Sequence, residues 1–429
     1  MREESKVYWF FASLLIFSAP FTGLPFFKTY FREASGEGLV YITILISPFI
    51  LLFTYQSRFI VIKPVKVTTI LAAYALIGIL IQINHLDMVA VGRGANIRFI
   101  SQFLSLCFVI YFLYVSSNIF MRLSLPSLMK IMLRVFFFQI AIIYLQIIIN
   151  LISIPVVSDI YVDIFSNFID KETLLTSWGR PHGTSQEPSH ITIFFLLVWP
   201  IFIHRYKLLS PLGILVLLAL ISMQSRSLIL IVLIQTIVFY RSQISFKKQG
   251  LRYFIVFTTL VSVALWNREL LMSAVDIKGS GSTLTRYVAA VAALQVFLKF
   301  PIVGAGLGLT GFYSQPFFDI LGLNTTEIVD VVNGERLPFI HNMHLRILAD
   351  LGLIGFGIWI RFVIRSTLIH RGLGRSEVYS MLTSLSLVYP LIFMTKENLT
   401  FMGVWLYTII LYVIQRKATA MLNLSKVER

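Results

Sequence analysis

From Leu208 to Tyr240 the chain reads LLSPLGILVLLALISMQSRSLILIVLIQTIVFY, two apolar runs divided by the polar corner Gln224–Ser225–Arg226. Whether this stretch is one helix or two decides the architecture, because every crossing of a bilayer reverses the side on which later loops fall. As two short helices, over 208–223 and 227–240, it joins ten other apolar runs. These lie at about 8–27, 38–56, 67–84, 99–118, 133–154, 190–204, 252–267, 345–364, 378–395 and 399–415. Repeated apolar runs of this kind are the mark of membrane-spanning helices. The expected fold class is an all-α polytopic membrane protein of about twelve transmembrane helices, a single integral membrane domain over 1–429.

Charge supports the count. With a cytoplasmic N-terminus, the segments that fall inside hold 22 of the 36 Lys and Arg but only Glu3, Glu4, Glu377 and Glu428 of the 20 acidic residues. The inside is then +18 and the outside −2, which together give the net +16 of the chain. Cytoplasmic loops are enriched in Lys and Arg in this way. Merging 208–223 with 227–240 would put the later basic loops outside. Both ends are therefore expected on the cytoplasmic side of the membrane. Because the basic residues are spread over short loops, a nucleic-acid surface is not expected.

Composition excludes a water-soluble globule: 57% of the residues are hydrophobic, only 13% are charged, and the mean hydropathy is +0.83. Soluble domains carry roughly 25% charged residues. The single cysteine, Cys107, allows neither an internal disulfide nor a thiolate metal site. The charged start Met1–Lys6 and the apolar run Val7–Phe27 read as a retained first helix, because no small-residue cleavage pattern follows. No internal repeat is evident.

Two external segments, 155–189 and 267–342, are too long for simple turns. The second contains an amphipathic stretch, Leu284–Phe300, expected to lie at the membrane interface before helix ten. The polar signals converge on this face. Trp178–His190 packs Arg180, His182, Glu187 and His190 among turn-forming residues. Glu187 stands beside an apolar helix, where a partly desolvated carboxylate suits general acid–base work. Arg226 sits between two apolar runs and must snorkel or find a partner. Gly279–Arg286 is followed by Phe300–Pro301–Ile302–Val303–Gly304–Ala305–Gly306–Leu307–Gly308, a glycine series suited either to plain turns or to backbone approach to an anionic headgroup. His341–Asn342–Met343–His344 opens helix ten. A neutral His341 can accept a proton from an attacking hydroxyl. No paired carboxylates and no metal cluster are apparent, so if the chain is a transferase acting on phosphate-linked donors, arginines have to neutralise the leaving group, a task their planar forks suit. The apolar runs themselves look nearly free of midplane charge.

In order, these segments resemble the bacterial O-antigen polymerase and O-antigen ligase superfamily of envelope glycosyltransferases. The resemblance rests on Arg–x–x–Gly–x–x–x–Glu–Pro at Arg180–Pro188, the Ser–Arg corner at Arg226, and Arg286 followed by Phe–Pro–x–x–Gly–x–Gly–x–Gly. It ends with His–Asn–x9–Gly–x–x–Gly at His341–Gly355. It implies a GT-C-like membrane fold, no metal or other cofactor, and undecaprenyl-pyrophosphate-linked oligosaccharides as donor and acceptor on the periplasmic face. By the same resemblance Arg286 contacts the pyrophosphate and His341 activates the acceptor hydroxyl. Arg180 and Arg226 are further site arginines. Glu187 is a candidate second base, and His182 and His344 are candidate binding residues. Within the superfamily Glu187–Pro188–Ser189 favours polymerase over ligase, and a chain-length regulator is a conceivable partner. A flippase for the same lipid-linked units is the alternative of another class; it requires charged or broken helices near the midplane.

Overall fold

The computed structural model describes residues 3–21, 42–49, 61–90, 92–152, 181–185, 188–241, 281–318, 325–367, 377–394 and 402–427. Helices form at every expected position within these residues, and the run expected at 252–267 lies outside them. They are α1 (Glu3–Ser18), a helical stretch over 42–49, α2 (Lys63–Ile81), α3 (Ala95–Phe120), α4 (Leu125–Ile152), α5 (Pro188–Tyr206), α6 (Pro211–Ser222) and α7 (Arg226–Arg241). Then follow α8 (Gly281–Lys299), the short α9 (Thr310–Ser314) and α10 (Thr326–Val332), α11 (Met343–Thr367), α12 (Glu377–Met394) and α13 (Met402–Val427). A two-residue hairpin pairs Val89–Ala90 with Arg93–Gly94 ahead of α3.

Among the described residues, Lys63–Ile81, Ala95–Phe120, Leu125–Ile149 and Met343–Thr367 are long and apolar enough to cross a membrane; α1, α5, α6, α7 and α12 are shorter apolar helices. The 12 residues of α6 reach about 18 Å and the 16 of α7 about 24 Å, against a hydrocarbon core of about 30 Å. Large apolar side chains face outward along the long helices, with Leu80 and Ile97 both 69% exposed. In water such a surface would aggregate; lipid is its natural solvent.

The corner at Gln224 does separate two helices. Gln224 takes φ +51, and the Ser225 carbonyl accepts the first hydrogen bond of α7, from the Ile229 N–H at 3.0 Å. At the other end of α6, Ser210 accepts from the Gly213 N–H at 3.1 Å and Pro211 supplies a helix-ready φ.

Helix α5 is the interior post of one half. Every residue from Ile191 to Ile203 is buried, against α4, α6, α7, α12 and α13. Pro200 inside α5 has no N–H to offer the Leu196 carbonyl. Gln235 of α7 supplies the missing donor through Nε2 at 2.8 Å, and the neighbouring Thr236 accepts from Trp199 Nε1 at 2.9 Å. A bundle in lipid must close such gaps internally, since no water reaches them.

The other half is built on α11, which packs against α2, α8 and α12. Helix α8, the stretch expected at the interface, lies along α11 through Val288, Ala289, Ala292, Ala293 and Val296, and presents Tyr287, Leu294 and Leu298 outward.

Candidate functional site

Helix α11 is broken. Gly352 takes φ 63 and ψ −167, a conformation essentially restricted to glycine, and divides the helix into two parts. A break in a spanning helix leaves carbonyls and N–H groups without intrahelical partners, and here the glycine-rich segment after α8 supplies them. The Ala305 N–H donates to the Ala349 carbonyl at 2.8 Å, the Gly306 N–H to the Asp350 carbonyl at 2.9 Å, and the Leu353 N–H to the Pro301 carbonyl at 2.8 Å. The two backbones approach so closely that a Cβ on Gly304 would run into the Asp350 carbonyl, and one on Gly352 into the Ile302 carbonyl. Gln82 at the end of α2 donates to the Gly304 carbonyl at 2.8 Å, closing the unit from a third side. The glycine series therefore serves a backbone approach, and the partner is another part of this chain.

The anion at this loop is also the protein's own. Asp350, 2% exposed, accepts from the Gly308 N–H at 3.0 Å, the Thr310 N–H at 3.2 Å and the Thr310 hydroxyl. One helical turn earlier Arg346, 9% exposed, donates through Nε to Asp350 at 3.4 Å and through Nη2 to Gln102 Oε1 at 3.3 Å. Arg98, in the first turn of α3, lies within electrostatic reach of both. Two guanidinium groups thus share one carboxylate, a net charge of +1. Arg98, Arg346, Gly308 and Thr310 line a cleft whose opposite wall is Leu337–Ile340, the segment that leads into His341. Guanidinium groups are suited to phosphate oxygens, and Arg98 and Arg346 give this small recess a cationic wall; the Gly308 and Thr310 N–H groups there are already committed to Asp350, which lines it too.

Asn342 fixes where that wall ends. Its Oδ1 accepts from the N–H groups of His344 at 3.0 Å and Leu345 at 3.3 Å, capping α11 and leaving His341 just outside the helix, half-buried. Arg286 is exposed on α8, flanked by the buried Leu284 and Val288. Those two side chains share an apolar cluster with Ile340, the neighbour of His341. The segments carrying Arg286 and His341 thus both contribute to one apolar cluster. His344 is placed differently: Trp359 Nε1 donates to its Nδ1 at 2.9 Å, which leaves Nε2–H to donate to the Pro390 carbonyl at 3.1 Å. Both ring nitrogens are committed within the bundle, and the ring packs edge-on to Phe393.

The first motif is partly visible. Arg180 and Glu187 lie outside the described residues, as does the side chain of Arg226. Pro181–Ser185, expected as an external loop, is buried throughout. Two glutamines of α4 hold it. Gln146 accepts from the His182 and Gly183 N–H groups, each at 3.0 Å, and donates to the Gly183 carbonyl at 2.9 Å; Gln139 accepts from the Thr184 N–H at 3.1 Å. Gln139 sits about 21 Å along α4, so irregular backbone lies well inside the bundle, where only protein partners can satisfy it. His182 is 4% exposed, and its Nδ1 has no partner among the described residues. Ser225, beside Arg226, meets Thr192 of α5 with their hydroxyls 3.3 Å apart. That contact ties the second motif to the helix that follows the first, and the third and fourth motifs are joined on α11.

Neither a scan against protein-family models nor a search of curated proteins found a match to this chain. The reading of its chemistry therefore rests on the site itself. Sequence reasoning missed Arg98, Gln102, Arg346 and Asp350. It took the apolar runs as nearly free of charge, whereas Asp350 stands about 10 Å inside α11. The Arg346/Asp350 spacing of four residues on one helix was the available signal.

Proposed function

We propose that this chain is a metal-independent membrane glycosyltransferase, an O-antigen-type polymerase joining undecaprenyl-pyrophosphate-linked repeat units at the periplasmic face of the inner membrane. The observation that carries the reading is the union of the glycine series with α11 around Arg98, Arg346 and Asp350, in a cleft whose wall runs into His341. The reaction needs cations for a diphosphate and a proton acceptor, and the two arginines beside the segment that leads into His341 support the reading.

In the proposed step an acceptor sugar hydroxyl attacks the anomeric carbon of the donor. The new C–O bond forms as the bond from that carbon to the diphosphate oxygen breaks, and the departing oxygen keeps the electron pair. Arg286 neutralises the charge that grows there, and Arg346 and Arg98 are further candidates for the same task. The hydroxyl proton passes to His341. Glu187, Arg180 and Arg226 remain candidates for sugar and diphosphate contacts, whereas His344, with both nitrogens engaged, serves the reading as a support for the start of α11.

A deletion strain, analysed by electrophoresis of surface glycolipids, tests the proposal. A core carrying a single repeat unit supports polymerase. Core without any repeat, with polymer accumulating on the lipid carrier, points to ligase. Complementation by His341→Ala or Arg286→Ala is expected to leave only the single unit while the protein inserts normally; a full-length ladder from both variants overturns the catalytic assignment.

One observation favours a second reading. A broken spanning helix with a buried ion pair is also what a flippase uses to carry a polar cargo. Against it, the freed backbone groups and the Asp350 carboxylate are bonded to the chain's own Pro301–Thr310 segment and not left open to a substrate. Movement of lipid-linked units across vesicles containing only this protein would favour the transporter.

A further inference from the structure

At the far end of α11 from His341, helices α2, α11 and α13 enclose a groove of about 860 Å³. Five cations line it: Lys63 and Lys66 in the first turn of α2, Arg361 and Arg365 on one face of α11, and Arg416 on α13. No acidic side chain lies in its wall, and none of the five pairs with a carboxylate among the described residues. Like charges one turn apart repel, so the cluster is unfavourable without a counter-charge. The α2 N-terminus, which has no side-chain cap, adds its own partial positive charge. Below the cations the wall turns apolar, through Ile70, Phe362 and Leu411.

Orientation alone explains basic residues at helix ends, but not their convergence from three helices onto one groove with an apolar floor. We propose that this groove binds a diacidic membrane phospholipid of the cardiolipin class. Its two phosphates lie among the five cations, and its acyl chains run along Ile70, Phe362 and Leu411. Charge selects the occupant: a single phosphate leaves most of the cations unmatched, and a zwitterionic headgroup brings no net anion. Basic pockets between spanning helices on the cytoplasmic side are suited to such headgroups. The inference is independent of the glycan chemistry proposed at the other end of the helix.

The test uses the full-length protein in neutral detergent, with native mass spectrometry and thermal unfolding in the presence of cardiolipin, phosphatidylglycerol or phosphatidylethanolamine. Cardiolipin is expected to stay bound and raise the melting temperature, phosphatidylglycerol to do so less, and phosphatidylethanolamine not at all. The combined Arg361→Gln, Arg365→Gln and Arg416→Gln variant is expected to bind cardiolipin on the order of a hundredfold more weakly. A Lys130→Gln, Arg134→Gln variant, altered on α4 outside the groove, is expected to bind as the wild type does. Equal losses in the two variants, no loss in the first, or phosphatidylglycerol binding as tightly as cardiolipin overturns the proposal. A photoreactive cardiolipin on the wild-type protein gives a readout that needs no variant to fold. Crosslinks within 358–366 and 411–420 support the site, and crosslinks confined elsewhere refute it.

Discussion

Asp350 carries an unusual share of the structure for one side chain. Its carboxylate receives Gly308, Thr310 and Arg346, and its own carbonyl receives Gly306. Removing one partner of a buried ion pair costs about 3–5 kcal/mol, because the remaining charge stays buried without compensation. Asp350→Asn keeps the shape and leaves Arg346 and Arg98 facing each other, so thermal unfolding in detergent is expected to show a loss of that order. An unchanged melting temperature would mean that the pair is solvated. The residues found from sequence and those missed differ in one physical respect. His341 and Arg286 stand outside or on the outer face of their helices, where polarity against an apolar background is visible. Arg98, Arg346 and Asp350 sit in apolar runs and look like interfacial charges until their partners, 40 residues or more away for Asp350 with Thr310, are brought to them.

Among the elements, two helix defects are each closed by a neighbour, and each closure can be tested by a cycle of substitutions. The Leu196 carbonyl, orphaned by Pro200, depends on Gln235. Gln235→Leu is expected to cost about 1–3 kcal/mol, and much less in a Pro200→Ala background, where the helix regains its own donor. Equal costs in both backgrounds would show that the glutamine matters for another reason. Gly304→Ala and Gly352→Ala press on the same gap from opposite sides, each at about 1–3 kcal/mol of backbone strain. Once either has displaced the loop the other has less to meet, so the double variant is expected to lose less than the sum; strict additivity in the melting data would place the strain elsewhere. Helix positions were legible because apolar runs dictate them. The break at Gly352 was not, since Leu351–Gly352–Leu353 reads as continuous helix and only docking of Pro301–Gly308 makes the break affordable.

For the whole molecule, the distribution of charge predicts which ends of the helices face which compartment. With Cys107 replaced by Ala, a cysteine at Ser124 is expected to resist a membrane-impermeant maleimide in intact spheroplasts, and one at Asn333 to react. The reverse pattern inverts the orientation, and labelling of both positions removes the helix parity on which it rests. Four of the described helices are long and apolar enough to cross a bilayer, and the membrane-helix character was legible as a pattern of charge and hydropathy. The burial of Pro181–Ser185 was not, because its polar residues read as surface until Gln139 and Gln146 of α4 are seen to bond them.

The chain is made in an order that gives the break in α11 a place in time. Pro301–Gly308 leaves the ribosome before α11 does, and Gly352 can adopt helical angles as readily as its final ones. The 25 residues of α11 can therefore be handed to the lipid as one unbroken helix with its backbone satisfied. Docking of the earlier segment around Gly352 is then free to follow insertion as a separate step. In that order biogenesis would have two stages, insertion and maturation. A chain arrested between them would be correctly threaded through the bilayer, normal in abundance, and without a cleft.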